Sequence, residues 1–389
     1  MLTMSALVAA AAAATIVDPP PAEPVATVEA RSEAPPVEAK ANVGETGEKP
    51  EKVEIERGRD RQKNDGKVAI HGRVFLRSEV ESQGDRAPSS DVSLASVRAE
   101  LRYRWQKWLR VIVEAELTNK PDLRDGFINA RNKMWSVRAG QFKLPVSVIE
   151  MESPWTLPVA RRGLLNDVIV DTMQIAGRRP GAEVEWRGRG VLDLRLTAGA
   201  FQGVDASGDR LSGSLDSQSV AGRASVSPGP IEVGVSGEWR AAEPLVGAGL
   251  RRFWSAGLDT VLDVDFGRHG LRVWGEVLGG GSWIDEDPAD GRDTTFAATR
   301  AIAAWRLGGG NDGDKYIEPY VMVGVLDPNL RVGADLMREV AAGVNLGVWR
   351  RVRLTFEYEA WRVERNTPPL LLASLQDRDA FVFQVGGAF

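Results

Sequence analysis

Five cations cluster around one unusual stretch of the chain. Lys143, Arg161 and Arg162 belong to "GQFKLPVSVIEMESPWTLPVARR", which runs from Gly140 to Arg162, and Arg178 and Arg179 close the segment that follows it. Guanidinium groups offer planar, paired N–H donors to carboxylate or phosphate, so such a cluster is equipped to attract and orient small anions. Glu150, Glu152 and Asp167 stand in the same region and could either neutralise those arginines or hold a cation. A second group, Arg73, Arg98, Arg102, Arg110 and Arg138, shares its neighbourhood with Glu100, Glu114 and Glu116, so each arginine is either a solute contact or half of an ion pair. Covalent chemistry has little to draw on. The chain has no cysteine and only two histidines, His71 and His269, neither beside a nucleophile motif. No enzyme activity, cofactor or metal site is expected.

The elements that position these residues repeat with a period of two. In "VRAELRYRW", Val97, Ala99, Leu101, Tyr103 and Trp105 share one face while Arg98, Glu100, Arg102 and Arg104 share the other. The next run, "WLRVIVEAELT", repeats the arrangement after only Gln106 and Lys107. By the same rule, sixteen strands are expected near 67–80, 92–105, 108–118, 123–131, 134–142, 180–187, 191–202, 217–227, 230–240, 252–266, 270–283, 295–307, 315–325, 335–348, 351–363 and 378–389. Connections after even strands are short, such as Asn132-Lys133 and Pro228-Gly229. Those after odd strands include long ones, such as "ESQGDRAPSSD", 143–179 and "ERNTPPLLLASLQD".

That parity is the pattern of a transmembrane barrel with trimmed periplasmic turns and elaborated outer loops. Charges on one face of each strand then point to a water-filled lumen, because an arginine facing lipid at mid-depth costs roughly 2–4 kcal/mol. Six tryptophans, Trp105, Trp108, Trp135, Trp186, Trp305 and Trp349, fall at the short-turn ends, where aromatic rings favour a membrane interface. No internal apolar run reaches the length of a membrane helix. A net charge of -5 leaves no basic footprint for nucleic acid.

The flanks are of a different kind. Residues 1–17, "MLTMSALVAAAAAATIV", read as a secretory signal peptide, although no Lys or Arg precedes the apolar core. Residues 18–66 are rich in Pro, Glu and mixed charge, a composition unable to bury enough apolar area to offset ordering entropy, and they read as a disordered periplasmic segment. Residues 67–389 form the barrel domain and end in "DAFVFQVGGAF".

Around the opening stretch, "RAGQFKLPV", an acidic residue and Arg161-Arg162, then "RRPGAEVEW" and "LTAGAFQG", resemble the phosphate-selective porin O and P family. The terminal strand ending in Phe389 resembles the signal by which outer-membrane barrels are recognised by their assembly machinery. The resemblance implies an all-β fold, a 16-stranded antiparallel transmembrane β-barrel whose third external loop folds inward. It further implies a homotrimer in outer-membrane lipid and passive diffusion of small hydrophilic solutes, anions such as phosphate among them. Lys143, Arg161, Arg162, Arg178 and Arg179 would then line the constriction, with Arg73, Arg98, Arg102, Arg110 and Arg138 on the pore wall. With only ten lysines in the chain, the strongly basic lumen of phosphate-specific members is not expected. The alternative is a structural barrel with a plugged lumen, tethered to a periplasmic partner by residues 18–66.

Overall fold

The computed structural model describes residues 66–389 apart from 85–86, 119–120, 189, 191, 206–217, 244–250, 287–292, 309–314, 350, 365 and 368–375. The signal segment and residues 18–65 lie outside the described residues. The strands are β1 (Lys67–Gln83), β2 (Ser89–Gln106), β3 (Leu109–Glu116), β4 (Asp122–Arg131), β5 (Trp135–Lys143), β6 (Arg178–Arg187), β7 (Arg195–Gln202), the two-residue β8 (Val204–Asp205) and β9 (Gln218–Val226). They continue with β10 (Ile231–Glu243), β11 (Arg251–Asp265), β12 (His269–Glu286), β13 (Asp293–Gly308), β14 (Tyr316–Asp327), β15 (Met337–Trp349), β16 (Val352–Val363) and β17 (Arg378–Ala388).

Leaving out β8, each strand pairs antiparallel with the next, and β17 pairs antiparallel with β1, so sixteen strands close into a barrel. Each of the sixteen expected strands is present. Closure satisfies the backbone of every spanning strand from its neighbours, which the hydrocarbon layer demands. The seam is completed by the last residue. Phe389 donates its N–H to the Gly72 carbonyl at 2.9 Å and accepts from the Gly72 N–H at 3.0 Å. Its ring packs over Gly72, 2.2 Å from where an ideal Cβ would stand, so a side chain at position 72 would displace the ring.

Alternation sorts the faces as expected. Outward residues such as Val68, Ile70, Leu101, Val113, Ile128, Val137, Leu258, Val277 and Val323 are exposed and apolar. Four of the six tryptophans at the short-turn ends, Trp105, Trp108, Trp135 and Trp305, are exposed, and Trp135 stands opposite Trp186 across β5 and β6. A further exposed pair, Trp239 opposite Trp254 on β10 and β11, faces outward as well.

Two expectations need correction. Several outer connections are shorter than their polar sequences suggest, because the hydrogen-bonded ladder runs on through them. Between β1 and β2, Glu81 still pairs with Ser89, leaving only residues 84–88 as the connection. The lumen is also less wet than the charged runs imply. Phe142, Phe201, Leu278, Phe296, Leu326, Met337 and Trp361 are buried in a cluster with Leu144, Val146, Leu164, Leu165, Val168 and Ile169 of the segment between β5 and β6. A second cluster joins Val148, Ile149, Leu157 and Val159 to Trp274, Ile302, Tyr320 and Met322. These apolar side chains stand on the same strand faces as the buried carboxylates, so much of the barrel interior beside β11–β16 is filled by packed side chains.

The lipid face yields a direct test. Val277 lies near the middle of β12 and is 53% exposed. Val277→Arg is expected to lower the stability of the folded barrel by about 2–4 kcal/mol. The folded fraction after refolding into lipid vesicles over a denaturant series measures this.

Candidate functional site: the lumen between the β5–β6 segment and the arginine wall

Residues 144–177 leave β5 through Pro145 and a backbone that forbids further strand pairing. Ser147 has φ 61°, and its hydroxyl accepts the Glu150 N–H at 3.1 Å, opening the short helix α1 (Val148–Met151). Helix α2 (Leu164–Asp167) follows from Gly163, φ 84°, and runs on into a π-helical turn, Val168–Thr172. Segments this short have too few internal hydrogen bonds to stand alone. Barrel side chains hold them instead.

Five acidic and basic strand residues do most of the holding. Glu276 accepts from the Ser147 hydroxyl at 2.9 Å and the Ile149 N–H at 3.3 Å. Arg300, paired with Glu276 at 2.9 Å, donates to the Asn166 side-chain oxygen at 3.0 Å and the Ser147 hydroxyl at 3.2 Å, so one ion pair pins both halves of the segment. The Ala160 N–H donates to Glu357 at 3.1 Å and the Leu165 N–H to Glu339 at 3.0 Å. Arg353 donates to the carbonyls of Pro154, Trp155 and Leu157 at 3.2, 3.1 and 2.8 Å. Buried charges of this kind need pairing or hydrogen bonds, and the segment's backbone supplies part of them.

Across from these anchors stands a wall of arginines on β1–β6. Three guanidiniums converge on one carboxylate: Arg73, Arg98 and Arg178 lie 3.3, 3.1 and 3.9 Å from Glu114. Arg98 also pairs with Glu116 at 2.6 Å and Arg178 with Asp125 at 2.9 Å. Arg73 reaches the segment itself, donating to the Ser153 hydroxyl at 2.9 Å. Lys143 donates to the Glu152 carbonyl at 3.0 Å and pairs with Glu150 at 3.5 Å, and Arg162 pairs with the same carboxylate at 3.4 Å. Burial pushes the Glu150 carboxyl up, but Arg162 and Lys143 outweigh it and hold the group below its ordinary range. That carboxylate is thus taken by two cations.

Two cavities flank this zone. One, of about 550 Å³, is lined among others by Arg73, Arg102, Arg138, Lys143, Arg178, Glu100, Glu114 and Glu183. The other, of about 320 Å³, is lined by Arg77, Arg98, Arg161, Arg162 and Asp167 with Phe75, Leu157 and Val159. Pro154 borders both.

The sequence-derived residues therefore separate into groups. Arg73, Arg98, Arg178, Lys143 and Arg162 come together. Arg161 lines the smaller cavity but is bound between Glu359 at 2.6 Å and Glu79 at 2.8 Å, partners on β16 and β1 and not the glutamates that precede it. Arg179 is 2% exposed and pairs with Glu238 at 2.5 Å on β10, out of both cavities. Arg102 pairs with Glu100 and Arg138 with Glu183, and the Arg138 guanidinium sits 4.3 Å from the Phe142 ring centre. Arg110 is different. It stands in register with Arg104, itself opposite Lys67, forming a row of cations across three strands. Sequence reasoning missed Arg77, which faces the smaller cavity and donates to Gln384 at 3.0 Å and the Ala160 carbonyl at 3.0 Å. Its place in the alternation, four residues after Arg73, is the signal that could have found it.

Asp167 is exposed on the smaller cavity, and burial of its surroundings, with Asp171 adding to it, pushes its carboxyl up to about 6. Above that pH it adds a negative charge among the arginines; below it the charge is gone. The ratio of anion to cation permeability is expected to rise as pH falls through about 6, and reversal potentials over pH 5–8 in wild type and Asp167→Asn test this, the variant losing the pH step. Arg161→Ala leaves Glu359 without an ion pair, while Glu79 keeps Arg378, and it unties the end of the segment from the wall. It is expected to raise single-channel current noise and to cost a few kcal/mol of barrel stability, about 3–5 for breaking a buried pair; bilayer recordings and denaturant unfolding measure the two effects.

The comparisons agree with this geometry. The family model described as phosphate-selective porin O and P matches residues 94–261, a span wider than the motif-bearing stretch that runs from within β2 to within β11 and takes in the β5–β6 segment and most of the arginine wall. Among solved structures, an anion-selective porin from Comamonas acidovorans superposes with a TM-score of 0.58 at 10% identity, over 84% of this chain and 100% of that one. The outer-membrane channel DcaP of Acinetobacter baumannii gives 0.56 at 11% identity over 85% and 99%. OmpT of Vibrio cholerae, in its trimer form, gives 0.55 at 10% identity over 83% and 99%. No curated protein sequence matches. Over residues 94–261 the chain carries the pattern of the phosphate-selective porin O and P family, on a closed 16-stranded β-barrel of the outer-membrane porin type.

Proposed function

We propose that this barrel lets small hydrophilic solutes diffuse through the outer membrane along the gap between the β5–β6 segment and the arginine wall, and that it favours anions, phosphate among them. The observation that carries the reading is the convergence of Arg73, Arg98 and Arg178 on the single carboxylate of Glu114, beside Lys143 and Arg162. Cations at a narrow, partly desolvated passage lower the electrostatic barrier for anions. Most of these groups are paired, so their pull on any one solute is modest. Weak binding at several places in series suits conduction, because a tightly held solute would not leave. The site residues remain those of the wall and the segment, with Arg179 acting as an anchor. Assembly as a homotrimer fits the porin fold, and the outward terminal strand with Phe389 fits recognition by the barrel assembly machinery.

A plugged structural barrel is the second reading, favoured by the packing of the segment against β11–β16. Conductance separates the two. Purified protein reconstituted in a planar bilayer is expected to show discrete channels whose reversal potential in a KCl gradient lies toward that of chloride. Arg98→Gln should reduce the chloride-to-potassium permeability ratio severalfold, since one charge in a desolvated passage is worth about 1 kcal/mol or more. A silent bilayer sinks the porin reading; a reversal potential on the potassium side sinks anion preference alone.

A further inference from the structure

The smaller cavity holds an arginine, Arg77, that touches no carboxylate, although Glu359, Glu357 and Asp167 lie close enough to act on it electrostatically. Arg77 has no ion-pair partner among the described residues. Its Nε and one Nη bond only the neutral acceptors Gln384, at 3.2 and 3.0 Å, and the Ala160 carbonyl, at 3.0 Å. The other Nη carries no hydrogen bond to a described residue. Phe75, Leu157, Val159 and Ala160 border the same space with apolar surface. Asp167 borders it too, and its carboxylate makes no ion pair with a described residue. At about 320 Å³ the cavity falls at the lower end of the roughly 300–1,000 Å³ typical of sites for small organic ligands.

Building on the anion-porin reading, we propose that this cavity is a subsite for organic monocarboxylates with an apolar body. A carboxylate carries both oxygens on one side, where the free Nη of Arg77 can donate to them, and hydrocarbon on the other, where Leu157, Val159 and Phe75 lie. Inorganic phosphate suits the space less well. Its oxygens point in all directions, so those turned to the apolar wall go without donors. A second negative charge also meets Asp167, which acts as the repulsive element against dianions. Selectivity here then comes from shape and from an arginine with a free donor, and not from a dense basic lumen.

Block of chloride current in planar bilayers by benzoate, acetate and phosphate tests the proposal with the full-length protein. At a pH above 7, where Asp167 is ionised, benzoate is expected to reach half-block at about a tenfold lower concentration than phosphate, the effect of one good charge-assisted contact plus apolar burial. Acetate, lacking the body, falls between. Arg77→Gln should bring the benzoate and phosphate half-blocking concentrations together. Asp167→Asn, a change on an exposed segment position, should strengthen phosphate block while keeping benzoate block, and it tests the idea even if the Arg77 variant yields no channels. Phosphate blocking as well as or better than benzoate in wild type, or an unchanged benzoate-to-phosphate ratio in both variants, overturns the proposal. Chloride selectivity without benzoate preference would defeat this inference alone, whereas loss of chloride selectivity itself would defeat the porin reading beneath it.

Discussion

Backbone polar groups cannot go unpaired in hydrocarbon, and the rest of this structure follows from that constraint. It forces the sheet to close on itself, which it does through sixteen antiparallel pairings and the Phe389–Gly72 seam. Closure in turn makes alternation decisive. Once Val277 and its like face lipid, Glu276, Arg300 and Glu318 have nowhere to go but inward, and a small space inherits more charge than water alone would solvate there.

The β5–β6 segment is the response to that concentration of charge. Its backbone N–H groups and carbonyls supply partners for Glu276, Glu339, Glu357 and Arg353, and its apolar side chains fill the volume between them. One side of the lumen is thereby filled. The opposite side, β1–β6, keeps its guanidiniums beside cavities of about 550 and 320 Å³. The division of labour is electrostatic: carboxylates of β12–β16 hold the segment, and arginines of β1–β6 face the space it leaves.

Arg161 and Arg162 illustrate how position in this frame overrides residue type. Both belong to the same dipeptide, yet Arg162 turns back to Glu150 and the carbonyl of Ile149 at 3.0 Å, while Arg161 spans Glu79 on β1 and Glu359 on β16. Arg178 and Arg179 divide the same way, one toward Asp125 and the wall, the other into a buried pair with Glu238. A pair of adjacent arginines is therefore not one site but two, with different partners.

What the sequence by itself determined was everything that depends on local periodicity: sixteen strands, which face of each is apolar, the tryptophans at the short-turn ends, and a break in pattern between β5 and β6. Those features follow from a side-chain period of two acting on each strand separately, so no distant contact is needed to read them. Only the tertiary structure decided which charges meet. Glu114 and Arg178 are 64 positions apart and Arg161 and Glu359 are 198 apart; their pairing depends on barrel closure and on the path of the segment, which no local pattern encodes. The apolar inward residues Phe201, Phe296 and Met337 were unreadable for the same reason. On a strand, an apolar side chain facing a packed segment and one facing lipid look alike until the segment is in place.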